Sequence, residues 1–294
     1  MSKVAYYPGC SGQGTSLEYD RSTRAVCAAV GLELVDVPDW SCCGSSPAHT
    51  VNHVLSAALS ARNLDLAHSL GLDVVATPCP SCLTNLRNAA LEMEDEAFRD
   101  KVNALLDRPY AGRVDPQSVL QVLVEQVGVD EVARRVTRPL TGLRVACYYG
   151  CIMNRPPERM RFDDHENPMA MDRLMEAAGA EVAPFPLKVE CCGASFGVPR
   201  GDIVARLSGK LLDAARGLGV DAVVTACPLC QMNLDLRQSQ INAALREHFR
   251  IPVFYYTQLL GLALDVPRSE LGLDRLCVDP RLALGKIKAP APVR

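Results

Sequence analysis

The sequence lacks any apolar run long enough to cross a membrane. Its longest apolar segments, such as residues 259–264, fall far short of the roughly 20 residues that a transmembrane helix needs. No basic segment leads into an apolar one at the N-terminus, as a secretory signal would require. The formal net charge is only −3 and no stretch is strongly basic, which argues against a nucleic-acid partner. We therefore expect a soluble, cytoplasmic protein without a membrane span, and its 294 residues suffice for about two domains.

Cysteine, by contrast, is abundant, with 13 in the chain. Small secreted proteins use many cysteines for disulfides, but this chain is long, lacks an export signal and has an odd cysteine count. Free cysteines that only fill a core need no fixed spacing. Metal or redox chemistry is therefore the better explanation if the spacing is regular.

The cysteines recur in the same order in the two halves of the chain. Residues 4–10 (VAYYPGC) match residues 145–151 (VACYYGC), and residues 77–86 (TPCPSCLTNL) match residues 225–234 (TACPLCQMNL). Between them, each half has an adjacent pair followed by glycine. The repeat cysteines are Cys10, Cys42, Cys43, Cys79 and Cys82, and then Cys151, Cys191, Cys192, Cys227 and Cys230. Cys27, Cys147 and Cys277 lie outside the repeat and are predicted to pack in the core.

The repeat predicts two homologous domains, residues 1–140 with a helical connector and residues 141–294. Short β-branched segments alternate with longer helical patterns, which favours an α/β fold of two Rossmann-like parallel sheets related by a pseudo-twofold axis. Strands are predicted at residues 4–7, 33–37 and 73–77, and at 143–149, 181–185, 221–225 and 253–256; helices are predicted at 17–30 and 51–70.

Two segments interrupt the repeat. The connector spans residues 98–141, and we predict a helix there that begins at Asp115-Pro116, because proline suits the first helical position. The apolar residues that follow would share one face of that helix: Val119, Leu120, Leu123, Val124 and Val127. The second half has a longer gap after its first cysteine, which predicts a surface insertion at residues 160–168.

Every cysteine element follows closely on the C-terminal end of a predicted strand. Parallel sheets bind ligands at that edge, so five thiols from three loops should converge in each half. A structural zinc takes four ligands, and adjacent cysteines suit two irons of one cluster better than one metal ion. The glycine after each pair permits a tight turn beside inorganic sulfide, and the proline within each Cys-x-x-Cys suits a helix N-terminus that faces an anionic cluster. We expect an iron–sulfur cluster in each half, with zinc in one domain as the alternative; a vicinal disulfide would leave the other cysteines unexplained.

This double pattern, with Asn-Leu after each Cys-x-x-Cys, resembles the two cysteine-rich (CCG) domains of the B-type (HdrB) component of heterodisulfide reductase over nearly the whole chain. The same domains occur in iron–sulfur subunits of lactate-utilisation and glycolate oxidase systems and in thiol:fumarate reductases. The resemblance implies a noncubane 4Fe-4S cluster in each domain, bound by the ten repeat cysteines. It also implies a ferredoxin-like iron–sulfur partner, a flavin-containing partner and a disulfide substrate.

One position departs from that family. Ile152 stands where the methanogen enzymes tend to carry histidine, which argues against the coenzyme M–coenzyme B disulfide as the substrate and leaves the proton donor open. Arg155 and Arg200 follow cysteine motifs of the second half and are candidate contacts for an acidic substrate, with ordinary surface arginines as the alternative. The glycines near Cys10 lack the spacing of a dinucleotide fingerprint, so a flavin is assigned to the partner.

Two functional hypotheses follow. In the first, the chain is a catalytic subunit that reduces a disulfide with two electrons, one cluster taking each sulfur. In the second, it is an electron-relay subunit of a lactate- or glycolate-oxidising complex. An open cleft between the clusters favours the first hypothesis and a sealed interface favours the second. Neither half has the closely spaced cysteines of an ordinary ferredoxin, so electrons are expected to arrive through another subunit.

Overall fold

The β-branched segments of each half pair into a parallel sheet. The computed structural model describes residues 2–110 and 112–288. The strands are β1 (Ser2–Tyr6), β2 (Leu32–Asp36), β3 (Val74–Thr77), β4 (Asp115–Ser118), β5 (Arg144–Tyr148), β6 (Glu181–Ala183), β7 (Ala222–Thr225) and β8 (Val253–Tyr255). Within these ranges they form two four-stranded sheets, ordered β2–β1–β3–β4 and β6–β5–β7–β8, and every pairing is parallel. The predicted fold class is confirmed, and the identical strand order makes the fold pseudo-symmetric.

Helices connect the strands and flank the sheets. They are α1 (Gly9–Gly12), α2 (Leu17–Ala29), α3 (Ser45–Val51), α4 (His53–His68), α5 (Pro80–Glu92), α6 (Glu96–Asn103), α7 (Val119–Val122), α8 (Val129–Arg135), α9 (Pro157–Met160), α10 (Ala170–Ala177), α11 (Gly201–Gly217), α12 (Pro228–Gln231), α13 (Gln238–Leu245), α14 (Tyr256–Ala263), α15 (Arg268–Leu271) and α16 (Arg281–Leu284). Residues Leu123–Gly128 and Met232–Leu236 form π-helical turns that continue α7 and α12.

The connector corrects one prediction. Asp115-Pro116 does not begin a helix but lies in β4, where Val74 of β3 pairs with Asp115. Because β4 is an edge strand, Pro116 can lack a backbone N–H without breaking a central ladder. The helix begins three residues later, where the Ser118 hydroxyl oxygen accepts a hydrogen bond from the Gln121 amide (3.0 Å) and acts as the N-cap. The predicted apolar face is right, since the helix buries Val119, Leu120 and Leu123.

Two further boundaries differ from the sequence prediction. The helix predicted at residues 51–70 is α4 (His53–His68), and Val51 ends the separate helix α3. The two are divided at Asn52, which is extended and whose side chain caps α4 by accepting from the Leu55 amide (2.9 Å). The insertion predicted at residues 160–168 is only partly a surface feature. Residues 163–167 are exposed, whereas Met160 and Phe162 are buried. The predicted division of the chain after residue 140 stays a prediction.

The main apolar core lies between the two sheets. It combines residues of the first sheet, such as Val4 and Tyr6, with residues of the second, such as Val145 and Cys147. Helix α2 of the first half packs there against α14 of the second. The opposite face of each sheet has a core of its own. Each sheet is thus covered on both faces, which is the usual environment of a parallel sheet.

Candidate functional site

The five repeat cysteines of the first half converge at the carboxyl edge of its sheet. Cys10 lies in α1 just after β1, the adjacent pair follows β2, and Cys79 is the N-cap residue of α5. The Cys43 and Cys82 sulfurs are 3.5 Å apart. Cys10 lies within hydrogen-bond reach of Cys42, and Cys79 within reach of Cys82. Cysteines that are far apart in the sequence are thereby neighbours.

The second half repeats this arrangement sulfur for sulfur. The Cys192 and Cys230 sulfurs are 3.7 Å apart. Cys151 lies within hydrogen-bond reach of Cys191, and Cys227 within reach of Cys230. In both halves, then, the single cysteine neighbours the first member of the adjacent pair, and the second member neighbours the last cysteine of the Cys-x-x-Cys motif.

The two groups of thiols are graded from surface to interior. Cys10 and Cys42 are exposed, and the matching Cys151 and Cys191 are partly exposed. The remaining six repeat cysteines are buried: Cys43, Cys79, Cys82, Cys192, Cys227 and Cys230. Each group therefore has one side open to solvent and one side embedded in the domain.

Neighbouring sulfurs divide into thiolates and thiols. A hydrogen bond from the buried Cys82 thiol lowers the pKa of Cys43 to about 6. Hydrogen bonds from Cys151 and Cys230 likewise lower the pKa of Cys191 to about 6 and that of Cys192 to about 7. The pKa of Cys82 is correspondingly raised, by its hydrogen bonds to Cys43 and Cys79 and by burial. Thiolates, which are the form that binds metal, are thus stabilised in both halves.

A buried tyrosine fixes each adjacent pair. The Tyr7 hydroxyl donates to the Ser41 carbonyl oxygen, and the Tyr148 hydroxyl donates to the Glu190 carbonyl oxygen, both at 2.7 Å. Each carbonyl belongs to the residue just before a pair. Burial raises the pKa of both tyrosines, with a further contribution from the nearby cysteines, so both hydroxyls stay protonated as donors.

A buried or half-buried asparagine donates to the second cysteine of each pair. The Asn233 amide nitrogen lies 3.4 Å from the Cys192 sulfur and 3.0 Å from the Ala194 carbonyl oxygen. Asn85 occupies the equivalent position, 3.7 Å from the Cys43 sulfur. Neither the asparagines nor the tyrosines were assigned a role from the sequence. The available signal was their recurrence in the repeat, as the asparagine of Asn-Leu and as the tyrosine three residues before Cys10 and Cys151.

Close packing against sulfur explains two glycines of the repeat. Gly9 and Gly150 have positive φ angles of 67° and 79°, in the region that favours glycine. A Cβ atom on Gly9 would lie 2.9 Å from the Cys82 sulfur, and one on Gly150 would lie 3.0 Å from the Cys230 sulfur. The glycines that follow the pairs, Gly44 and Gly193, are also left-handed, which agrees with the tight turn predicted there.

These features fit an anionic iron–sulfur cluster in each half. Five thiols converge in each half, and a helix that starts with proline follows the N-cap residues Cys79 and Cys227. In the second half, the Gly193 N–H points at the Cys191 sulfur (3.3 Å) and the Ala194 N–H at the Cys192 sulfur (3.4 Å). Among the residues that the structure describes, no three His, Cys, Asp or Glu side chains are grouped around the position of a single metal ion.

A stacked pair of tyrosines lies between the two groups of thiols. The Tyr19 and Tyr255 rings are parallel, with centroids 4.0 Å apart. The Tyr19 hydroxyl reaches across from the first half to the Ala226 carbonyl oxygen (3.2 Å), next to Cys227. Burial raises the pKa of Tyr255, and Glu18, Cys227 and Cys79, which come from both halves, raise it further. The two thiol groups therefore flank one tyrosine pair.

The other predicted site residues lie at the surface. Arg155 donates to Glu166 (2.6 Å) and Arg200 to Asp202 (2.8 Å), so each has a carboxylate partner, and their role as substrate contacts stays a prediction. The core prediction for Cys277 is wrong: this residue is exposed, because it lies on an irregular segment that runs over the surface, whereas Cys27 and Cys147 are buried as predicted. The described helices include none that is long and apolar enough to span a bilayer.

The comparisons with known proteins agree with the duplicated architecture. The family model of the cysteine-rich domain CCG matches twice, at residues 4–87 and 145–235. The chain is 34% identical to the 8-methylmenaquinol:fumarate reductase membrane anchor subunit of Wolinella succinogenes, over 95% of this chain and 98% of that protein. It is 30% identical to the B-type (HdrB) component of the ferredoxin/F420H2-dependent CoB–CoM heterodisulfide reductase of Methanosarcina acetivorans, over 98% of this chain and 97% of that protein.

A solved structure shares the fold. The crystal structure of a hypothetical protein from Helicobacter pylori superposes with a TM-score of 0.73 at 13% identity, covering 94% of this chain and 52% of that one. The chain thus spans about half the length of that protein. With two matched domains and full-length relatives at 30% identity or more, the chain belongs to the cysteine-rich CCG domain family, among whose members are the HdrB components of heterodisulfide reductases.

Proposed function

We propose that this chain is the iron–sulfur catalytic subunit of a heterodisulfide reductase-like complex, which reduces a disulfide or forms one in the reverse direction. The observation that carries the proposal is the duplication itself: two groups of five thiols have the same internal contacts, and each group has one side that reaches solvent. The relatives named as HdrB components of heterodisulfide reductases support the same assignment.

The ten repeat cysteines would hold two noncubane 4Fe-4S clusters, one in each half. When bound, such clusters would supply electrons singly, and two of them match the two electrons that a disulfide takes up with two protons to give two thiols. The chain's own contribution is to hold the sulfurs: Tyr7 and Tyr148 fix the adjacent pairs, and Asn85 and Asn233 donate to the second cysteine of each pair. Zinc in one half is the alternative occupant.

The remaining parts of the assignment follow from this role. A ferredoxin-like iron–sulfur subunit and a flavin subunit would deliver the electrons, and we place the complex in the cytoplasm. A substrate would reach each thiol group from the side on which its outer cysteines meet solvent, Cys10 and Cys42 in the first half and Cys151 and Cys191 in the second. Arg155 and Arg200 would contact an acidic substrate only after releasing their present carboxylate partners. Residues 1–140 and 141–294 would be the two domains.

Iron and acid-labile sulfide analysis of anaerobically purified protein tests the cofactor proposal. Two four-iron clusters predict about eight of each per chain. Cys43→Ala and Cys192→Ala should each remove or alter one cluster, seen by electron paramagnetic resonance, while the other cluster persists. Cys277→Ala is the matched control, because Cys277 is exposed and lies outside the repeat, and its spectrum should equal that of the wild type. One zinc with half the iron would reduce the proposal to a single cluster.

Turnover of the assembled complex tests the reaction. With a low-potential electron donor and a panel of disulfides, the wild-type complex should release thiols, and the Cys43→Ala and Cys192→Ala complexes should not. Thiol release by the wild type that persists undiminished in both variants would refute a role of the clusters in disulfide reduction.

A second candidate role is electron exchange with a quinol. It is favoured by the 34% identity to the Wolinella succinogenes protein, whose name places it in an 8-methylmenaquinol:fumarate reductase. None of the relatives reported above has a lactate or glycolate oxidase name, so we do not favour that alternative. Reduction of the bound clusters by a menaquinol analogue, without turnover of any disulfide, would establish the quinol role instead.

A further inference from the structure

A cavity of about 750 Å³ lies between the two halves of the fold, away from the cysteines. It is bounded by the C-terminal half of α5, by the edge strand β4 and by α9 with the residue that follows it. Five arginines line it: Arg87, Arg99, Arg113, Arg159 and Arg161. Among the described lining residues, Glu94 and Asp115 are the two acidic ones, which leaves an excess of three positive charges in the lining.

Arg87 anchors this cluster from the interior. Its side chain is buried, with the residue only 6% exposed. Its guanidinium donates to the Pro116 carbonyl oxygen (2.7 Å) and to the Gln121 side-chain oxygen (2.8 Å), both of which are neutral. Burial lowers the pKa of Arg87, and Asp115 and Glu125 oppose that shift only from a distance. A buried charge without a close counter-charge is costly, so the site favours an anion.

Most of the other arginines that line the cavity also have no carboxylate partner among the described residues. Within residues 2–110 and 112–288, Arg99, Arg113 and Arg161 make no ion pair, and only Arg159 does, with Glu92 at 3.1 Å. Arg161 has a positive φ angle of 45°, a conformation that side chains of its size seldom adopt. The guanidinium groups come from both halves of the chain, so a bound anion would also bridge them.

We propose that this cavity binds a small organic anion that carries phosphate groups. Guanidinium groups bind phosphate through paired hydrogen bonds, and an excess of three positive charges suits a ligand with several negative ones. The volume lies within the usual range for small-molecule sites, about 300–1,000 Å³.

This site is independent of the proposed disulfide chemistry. Helix α5 begins at the cysteines, and its first cavity-lining residue, Arg87, lies five residues beyond Cys82, roughly 7.5 Å further along the helix axis; none of the described lining residues is a cysteine. A ligand in the cavity therefore does not occupy the space beside the thiols. Binding can be measured whether or not the disulfide reaction is confirmed.

Isothermal titration calorimetry of the intact, cluster-loaded protein tests the proposal, with inorganic pyrophosphate as the probe and the tricarboxylate tricarballylate as the comparison. Pyrophosphate should bind saturably at one site per chain and more tightly than tricarballylate. Arg113→Gln and Arg161→Gln should each weaken it by about tenfold or more, as the loss of a charge-assisted hydrogen bond implies. Both arginines are in contact with solvent, so the two variants provide independent tests if one folds poorly.

Arg138→Gln is the matched control. It removes the same charge, but Arg138 lies outside the cavity and pairs with Asp265 (2.9 Å). Pyrophosphate should bind this variant within about twofold of the wild type, because a distant exposed charge is screened. The proposal fails if the wild type shows no saturable binding, if tricarballylate binds as tightly as pyrophosphate, or if Arg138→Gln weakens binding as much as the cavity variants do.

Discussion

Alanine at Gly9 should damage the first thiol group far more than alanine at Gly71. The two glycines have nearly the same backbone conformation, with φ angles of 67° and 70°. They differ in what an added methyl group would meet. At Gly9 it would lie 2.9 Å from the Cys82 sulfur, whereas at Gly71 it would find nothing within 4 Å. The pair therefore separates the cost of contact with sulfur from the cost of the backbone conformation.

The magnitudes follow from those two costs. A left-handed conformation costs a residue with a Cβ atom about 1–2 kcal/mol, and both variants incur it. Overpacking a close-packed site adds about 1–3 kcal/mol, which applies only to Gly9→Ala. The free energy of unfolding should thus fall by roughly 1–2 kcal/mol in Gly71→Ala and by roughly 2–5 kcal/mol in Gly9→Ala.

Urea unfolding and iron analysis of anaerobically purified variants measure the difference. Gly9→Ala should retain about half of the wild-type iron, since the cluster of the second half is undisturbed, and Gly71→Ala should retain all of it. The second half offers the same comparison between Gly150→Ala and Gly219→Ala, the latter at a left-handed glycine with open space around it. Equal losses in Gly9→Ala and Gly71→Ala would refute the contact argument.

Three other substitutions probe single interactions, each by urea unfolding. Tyr148→Phe leaves the Glu190 carbonyl without its donor and should lower the free energy of unfolding by about 1–3 kcal/mol; an unchanged midpoint would contradict the positioning role. Burial raises the pKa of Asp235 from 3.8 to about 6, so the folded state binds the proton more tightly than the unfolded state does. The free energy of unfolding of the wild type should therefore fall by roughly 3 kcal/mol as the pH rises from about 4 to about 6. The stability of Asp235→Asn should not show this pH dependence. If it varies with pH as the wild type does, another group causes the dependence. Lys188→Met removes the ion-pair partner of buried Asp172 (2.7 Å), which among the described residues keeps only its hydrogen bond from the Tyr149 hydroxyl, and should lower the free energy of unfolding by about 3–5 kcal/mol; a loss below about 1 kcal/mol would contradict this prediction.

The sequence predicted the sheets and the convergence of the cysteines because both depend on regular signals. Strand β7, with its Val-Val-Thr run, has the β-branched residues of a buried strand, and Cys227 follows it closely. Strand β4 has the sequence Asp-Pro-Gln-Ser, which carries no such signal. It is a strand only because β3 pairs with it and α5 supports it through Arg87, which is a tertiary effect.

The supporting residues of the site were harder to predict for a different reason. Asn85 and Asn233 recur in the repeat, but a repeated letter does not say which atom a side chain contacts. The arginine-lined cavity has no repeat at all, since Arg87 and Arg161 belong to different halves and meet only in the folded chain. The surface position of Cys277 was missed because cysteine is usually buried, a tendency that an irregular surface segment overrides.

The shared core between the sheets limits how this chain can be divided. Tyr19, Val26 and Leu120 are buried in that core together with residues of the opposite sheet. Either half expressed alone would present a broad apolar face to water, and such faces promote self-association. A half-chain would then cover that face by pairing with another copy of itself, in the same relative arrangement that the two halves have in the intact chain. The fold thus has the form of a symmetric dimer joined into one polypeptide. Because the two halves are one chain, their sequences can differ, and contacts such as that of Tyr19 with Tyr255 can join positions that are not equivalent in the two halves.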